Sequence, residues 1–191
     1  MTTFQAKDAK AALAIIGRVI ERRNTIPILG NVMIKASGEK MTISGTDLDI
    51  YASAEIDCTD TEPFAITISA KTFTAFIRGS VGAVSLTATA ETATLKNDGM
   101  EMTVNMLCPA SDMPVMGFEP KSSVEMTESM LHKALSSVAF AMSSEETRYY
   151  LNGVYMHVSQ SEEGPVLRCV ATDGHRLARI DAPLPEGARD M

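Results

Sequence analysis

The sequence predicts an α+β fold built from a repeated unit of one strand, one helix and three further strands. Two observations predict it. Short segments that alternate apolar and polar residues are interrupted by three amphipathic helical segments, and the two ends of the chain resemble each other. With 191 residues, of which 45% are hydrophobic and 21% charged, the chain can bury a core without help from disulfides or metals.

Three helices are predicted from apolar residues at helical spacing. The first runs from Asp8, a candidate N-cap, to Arg22. The second spans SAKTFTAFIRG, with Ser69 as N-cap, Gly79 at its end and a buried face of Phe73, Phe76 and Ile77. The third follows Thr127 and is expected to present one apolar side, formed by Leu131, Leu135, Val138 and Met142.

Seven segments between these helices are predicted to be strands because they alternate or are rich in β-branched residues. They are NVMIKA, KMTISGTD, DIYASAEI, PFAITI, VSLTATA, ATLKN and EMTVNML.

The chain contains an internal repeat. Residues 12–34 align with residues 134–156 at a constant offset of 122, and Thr46-Asp47 aligns with Thr172-Asp173 at an offset of 126. The four extra residues fall in the polar turn SQSEEGP, where an insertion costs little. A duplicated unit of about 120 residues explains this; the alternative is a chance likeness of two helix-strand pairs.

The repeat predicts the domain organisation. We expect a complete first domain over residues 1–120 and the first half of a second domain over residues 121–191, joined by the Pro- and Gly-containing stretch MPVMGFEPKSS. The half-domain is expected to leave an apolar sheet face and a sheet edge unsatisfied.

Charge is distributed unevenly along the chain. The net charge is −7, yet residues 8–23 and 70–79 each carry +2, so a basic surface on helices is compatible with DNA binding. Ordinary solvated helix faces are the alternative. The first twenty residues contain four charged side chains and no secretory apolar run, which favours a cytoplasmic protein.

The three cysteines indicate no metal site. Cys58, Cys108 and Cys169 are scattered, without a Cys-x-x-Cys pair or a His at ligand spacing. We therefore predict buried thiols, no bound metal and no cofactor.

Five stretches resemble the signature segments of the bacterial sliding clamp family, the beta subunit of DNA polymerase III. They are NTIPILGNVMI, GTDLDI, LCPASDMP, ETRYYLNGV and VATDGHRLA, in the order and spacing of that family. The resemblance implies a DNA clamp fold with antiparallel sheets outside and helices on one face. It also implies a non-catalytic processivity factor that closes as a homodimeric ring around duplex DNA, without sequence-specific contacts.

The resemblance assigns two groups of residues. A pocket for short apolar peptides of the polymerase III catalytic subunit, the clamp loader and repair proteins is implied for Leu151, Thr172, Gly174, His175, Arg176 and Leu177. DNA contacts are implied for Arg23, Arg148, Tyr149 and Tyr150, although Tyr149 and Tyr150 are equally compatible with core positions. Lys10, Arg18, Lys71, Arg78 and Lys133 are expected to act through long-range potential only.

The alternative functions are a hydrolase and a stand-alone adaptor. A hydrolase using Asp173 and His175 would need a third orienting group and a cleft, and the sequence indicates neither. We instead expect Asp173 to hold a turn through bonds to the backbone. The second alternative is a short stand-alone adaptor that modulates a complete clamp without encircling DNA. Because the family has three domains per subunit, we expect this chain alone neither to close a ring nor to bind peptide at full strength, whether it is a fragment or a naturally short relative.

Overall fold

The computed structural model contains two compact units, Met1–Gly117 and Phe118–Met191. The structure describes residues 1–20, 25–106, 108–114 and 123–188. Arg23, the first of the predicted DNA-binding residues, lies outside the described residues, as does most of the predicted linker.

The described part of unit 1 holds two α-helices, two short 3₁₀ helices (Pro27–Gly30 and Ala110–Asp112) and six strands in one antiparallel sheet of order β2-β3-β1-β4-β5-β6. The elements are β1 (Thr2–Gln5), α1 (Ala6–Ile16), β2 (Asn31–Thr46), β3 (Tyr51–Ser69), α2 (Ala70–Gly79), β4 (Ala83–Ala88), β5 (Thr92–Asn97) and β6 (Met100–Asn105).

The core of unit 1 lies between its helices and its sheet. Helices α1 and α2 contact each other and both contact β2 and β3, so they share one face. The predicted apolar face of α2 is confirmed: Phe73, Phe76 and Ile77 are buried, and Ser69 accepts a bond from the amide of Thr72 at 3.5 Å. Full burial of side chains of this size contributes roughly 1.5–3 kcal/mol each.

Helix α1 differs from its prediction at both ends. It begins at Ala6, directly after β1, with Gln5 as N-cap, so Asp8 lies within the first turn, where a carboxylate favours the helix dipole. It ends at Ile16 rather than Arg22. The amide of Gly17 donates to the carbonyl of Leu13 at 3.0 Å. A Cβ added at Gly17 would lie 2.8 Å from that carbonyl oxygen, which is too close for a side chain without a shift of the backbone.

Two pairs of predicted strands are each one continuous strand. NVMIKA and all of KMTISGTD except its final Asp47 belong to β2, while DIYASAEI from Tyr51 onward and PFAITI belong to β3. The pairing of β2 with β3 changes register around Gly38, which has a φ of +59°. The bulge lets the strand bend and carry pairing through the polar residues that separate the two predicted strands.

Unit 2 contains, in its described residues, helix α3 (Glu128–Ser136) and the antiparallel sheet β7-β8-β9, formed by Tyr155–Ser161, Gly164–Thr172 and Leu177–Pro183. Two short 3₁₀ helices, Ala139–Ala141 and Glu146–Leu151, lie between α3 and β7. The bidentate ion pair of Arg168 with Asp181, at 2.7 and 2.8 Å, joins β8 to β9.

The buried side of α3 differs from the prediction. Thr127 caps the helix by accepting the amide of Met130 at 3.3 Å, as expected from its position. On α3 only Ala134 is buried, and it packs in one core cluster with Val138 and Ala141 that follow the helix and with Cys169 and Ala171 of the sheet, whereas Leu131 remains 37% exposed. The helix ends at Ser136, so the predicted stripe from Leu131 to Met142 does not lie on one continuous helix.

No helix in the described part of the chain is long and apolar enough to span a membrane. Among the same residues, no group of three or more His, Cys, Asp and Glu side chains is placed to hold a metal ion.

Candidate functional site

The turn between β8 and β9 carries most of the predicted peptide-binding residues. Thr172 Oγ1 donates to the carbonyl of Arg176 at 2.7 Å and accepts the amide of Gly174 at 3.1 Å. Gly174 has a φ of +90°, a conformation that glycine adopts without steric cost. The turn is therefore fixed by its own short-range hydrogen bonds.

Asp173 holds this turn, as predicted. Its Oδ1 accepts the backbone amides of His175 and Arg176, both at 2.9 Å, and its Oδ2 accepts a bond from Arg176 Nε at 2.9 Å. The amides of Arg176 and His175, with the Arg176 side chain, lower the pKa of Asp173 to about 2. The Asp173 carboxylate thus contacts the backbone amide of His175, and its hydrogen bonds stabilise the turn.

Unit 1 contains the same turn between β2 and β3. Thr46 Oγ1 donates to the carbonyl of Ile50 at 2.8 Å and accepts the amide of Leu48 at 3.0 Å. Asp47 Oδ1 accepts the amides of Asp49 at 3.0 Å and Ile50 at 2.7 Å. Each bond recurs in unit 2 at the offset of 126, which supports the duplication read from the sequence.

The side chains around the unit 2 turn are open to solvent. Leu177, which pairs with Thr172 across β8 and β9, is 67% exposed, and Gly174, His175 and Arg176 are also exposed. Leu151, at the end of the 3₁₀ helix Glu146–Leu151, is half-buried, and its carbonyl accepts the amide of Ser143 at 3.0 Å. Leu177 is thus an apolar side chain that lies exposed beside exposed polar groups.

Arg148 links the two groups of predicted residues. Its Nη1 lies 3.4 Å from the point that a Cβ on Gly174 would occupy, so a residue assigned to DNA packs against the turn assigned to peptide. Its Nε also lies 3.2 Å from Glu145 Oε2. This exposed ion pair partly neutralises the positive charge that a phosphate would meet.

Tyr149 and Tyr150 form an exposed aromatic pair. They are 79% and 71% exposed, with ring centroids 5.8 Å apart in an edge-to-face arrangement. The core positions left open for the two tyrosines are therefore wrong. Exposed aromatic rings beside an arginine are suited to contacts with a nucleic acid backbone or with unstacked bases.

The basic residues of the helices have different roles. Lys10 donates from Nζ to the carbonyl of Ser80 at 2.8 Å, which ties α1 to the end of α2. The other side chains are exposed: Lys71 and Arg78 on α2, Arg18 just after α1 and Lys133 on α3.

Phe140 is a residue that the sequence analysis missed. It is 63% exposed, and the guanidinium carbon of Arg176 lies 5.7 Å from its ring centroid. Within the apolar run VAFAM, a phenylalanine has no feature that distinguishes it from a core residue.

Each of the two units packs at least one helix against an antiparallel sheet, and each contains its own Thr-Asp turn with the same hydrogen bonds. The model of the DNA polymerase III beta subunit N-terminal domain matches residues 5–116, and that of the central domain matches residues 125–191. The chain belongs to the DNA polymerase III beta subunit family, as its signature segments predicted.

Individual relatives agree with this assignment. The beta sliding clamp of Caulobacter vibrioides is 40% identical over 181 residues, covering 93% of this chain and 49% of the relative. That of Pseudomonas aeruginosa is 33% identical over 193 residues, covering 98% of this chain and 51% of the relative. The chain thus spans about half the length of the curated relatives it matches.

Solved structures confirm the predicted fold class. The sliding clamp of Caulobacter crescentus matches 98% of this chain and 52% of its own, with a TM-score of 0.90 and 38% identity. The Bartonella birtlesii clamp, solved bound to griselimycin, matches 100% of this chain and 52% of its own, with a TM-score of 0.88 and 33% identity.

Proposed function

We propose that this chain forms part of a sliding clamp, a non-catalytic processivity factor that encircles duplex DNA and tethers the replicative polymerase. The observation that carries the proposal is the match of its two units, in order, to two successive domains of one clamp subunit. A clamp needs a closed ring of such domains, which the homodimer of the whole protein would provide. Such a protein would act in the cytoplasm, where the chromosome is replicated.

The charge distribution supports weak and mobile contacts with DNA. Exposed cations such as Lys71 and Arg78 on α2 attract phosphates of any sequence. Arg148, with Tyr149 and Tyr150, would add local contacts, and we assign Arg23 to the same role from the family resemblance. Contacts of this kind position the duplex without reading bases, so they permit sliding.

The turn of unit 2 supports a tethering role. We assign partner-peptide binding to Leu151 and to the residues around the turn, namely Thr172, Gly174, His175, Arg176 and Leu177. Leu177 would receive an apolar side chain of the peptide, and the rigid turn would present polar groups in fixed positions. The polymerase III catalytic subunit, the clamp loader and other clamp-binding proteins are the expected partners, and we expect griselimycin to bind as well.

A catalytic role for this segment has less support. Both carboxylate oxygens of Asp173 are engaged with the turn or with Arg176. A general base needs a carboxylate or imidazole directed at a substrate.

Primer extension tests the proposal. The complete product of the reading frame would be added to the replicative polymerase and its clamp loader on a singly primed circular template. Under conditions in which each polymerase binds the template only once, we expect the protein to lengthen the products strongly. We expect the Leu177→Lys variant to abolish this increase in product length. Product lengths unchanged by the unsubstituted protein would contradict the proposal, and stimulation only when another complete clamp is present would instead support the adaptor.

A further inference from the structure

We propose that Phe140 is a positioning residue of the partner-peptide surface, where its ring holds the guanidinium of Arg176 over the turn. The inference rests on the proposed function of the turn. It extends that surface to a 3₁₀ helix outside the resemblance segments.

Two contacts orient the Arg176 side chain. Asp173 Oδ2 accepts a bond from Nε at 2.9 Å, and the Phe140 ring lies beneath the guanidinium at 5.7 Å from Cζ to centroid. The Arg176 side chain is nevertheless 58% exposed. A long exposed side chain loses rotamer freedom when it binds a ligand, and contacts that order it beforehand reduce that cost.

The backbone fixes where Phe140 points. Its neighbours Val138 and Ala141 are buried in the core of unit 2, and the amide of Ala141 donates to the carbonyl of Val138 at 2.9 Å. Phe140 lies between them and is 63% exposed. Its ring therefore contributes little to the core and lies instead against the guanidinium of Arg176.

The arrangement suits a particular ligand chemistry. Asp173 engages Nε, and the guanidinium also carries N–H donors on its two Nη atoms, which suit a carbonyl or carboxylate oxygen. The ring and Leu177 supply apolar surface on the same unit. We therefore expect the Arg176 guanidinium, positioned by the Phe140 ring, to donate a hydrogen bond to an oxygen of a short apolar peptide.

Calorimetric titration of griselimycin into the complete product of the reading frame tests this. We expect Phe140→Ala to weaken binding about 2- to 5-fold, the range of exposed cation–π contacts. Phe140→Tyr, which keeps the ring, should restore wild-type affinity. In an Arg176→Ala background, Phe140→Ala should cause no further loss, because its effect passes through the guanidinium.

The controls make each outcome decisive. Ile15→Ala removes another exposed apolar side chain, in unit 1, and should leave the affinity unchanged. Phe140→Leu replaces Phe140→Ala if thermal unfolding shows that the alanine variant does not fold. If Leu177→Lys weakens binding and Phe140→Ala does not, the inference is overturned while the proposed function stands. An undiminished Phe140→Ala effect without Arg176 would also overturn it, and a Leu177→Lys variant with wild-type affinity would contradict the proposed function itself.

Discussion

Thr46 and Thr172 make the same two hydrogen bonds at equivalent positions of two turns. Each hydroxyl donates to the carbonyl four residues later, at 2.8 and 2.7 Å, and accepts the amide two residues later, at 3.0 and 3.1 Å. The residue after each Thr-Asp pair has a positive φ, +85° at Leu48 and +90° at Gly174. The two turns differ in their side chains. At equivalent positions the turn of unit 1 carries Leu48 and Ile50, and the turn of unit 2 carries Gly174 and Arg176.

Gly174→Ala should destabilise unit 2. The left-handed backbone costs a residue with a Cβ roughly 1–2 kcal/mol, partly offset by the lower entropy of the unfolded chain. We expect a net loss of about 1 kcal/mol in chemical denaturation, with displacement of Arg148, whose Nη1 would lie 3.4 Å from the new Cβ. Gly153→Ala is the matched control, because nothing lies within 4 Å of its Cβ position. Equal stability of the two variants would contradict this account of the turn.

Asp173→Asn should change how stability depends on acid. The pKa of Asp173 is lowered to about 2 in the folded protein, so its contribution is complete above the unfolded value near 3.8 and is lost as the pH falls through about 2. Between pH 4 and pH 2, the unfolding free energy of the unsubstituted protein should therefore fall more steeply than that of the variant. Parallel curves over this window would mean that the carboxylate does not stabilise the turn.

Replacing both Arg23 and Arg148 by alanine should weaken DNA binding and flatten its salt dependence. Each phosphate contact contributes about 0.9 to the slope of log K against log salt, so the slope should fall by about 2. Glu145→Gln should steepen it by freeing Arg148 from its ion pair. Lys96→Ala, which removes a cation paired with Glu101 on the sheet, is the control. An unchanged slope in the double variant would remove these residues from the interface.

Leu177→Lys should impair peptide binding. A charge placed in an apolar contact costs on the order of 2 kcal/mol, about a 30-fold loss of affinity for griselimycin. Val81→Lys alters another exposed aliphatic residue, 80% exposed in unit 1, and should bind normally. Wild-type affinity of the Leu177 variant would refute its role.

The features of this structure that depend on a single residue pattern were predictable from the sequence. Ser69 and Thr127 predict helix starts, because a hydroxyl at the N-cap accepts a bond from a free backbone amide. The spacing of Phe73, Phe76 and Ile77 is enough to place them on one buried face. The continuity of β2 and β3 was not predictable, because strand pairing tolerates a bulge at polar residues that interrupt the alternating pattern. The exposure of Phe140 and the contact of Arg148 with Gly174 depend on tertiary packing, which residue type does not reveal.

Retention on circular DNA tests the central claim most directly. The complete product of the reading frame would be loaded by its clamp loader onto a nicked circular plasmid and separated from free protein by gel filtration in high salt. Because an encircling ring is held by topology rather than by charge, we expect it to stay on the circle and to leave when one restriction cut linearises the DNA. Protein that dissociates equally from circular and linear DNA would contradict the clamp.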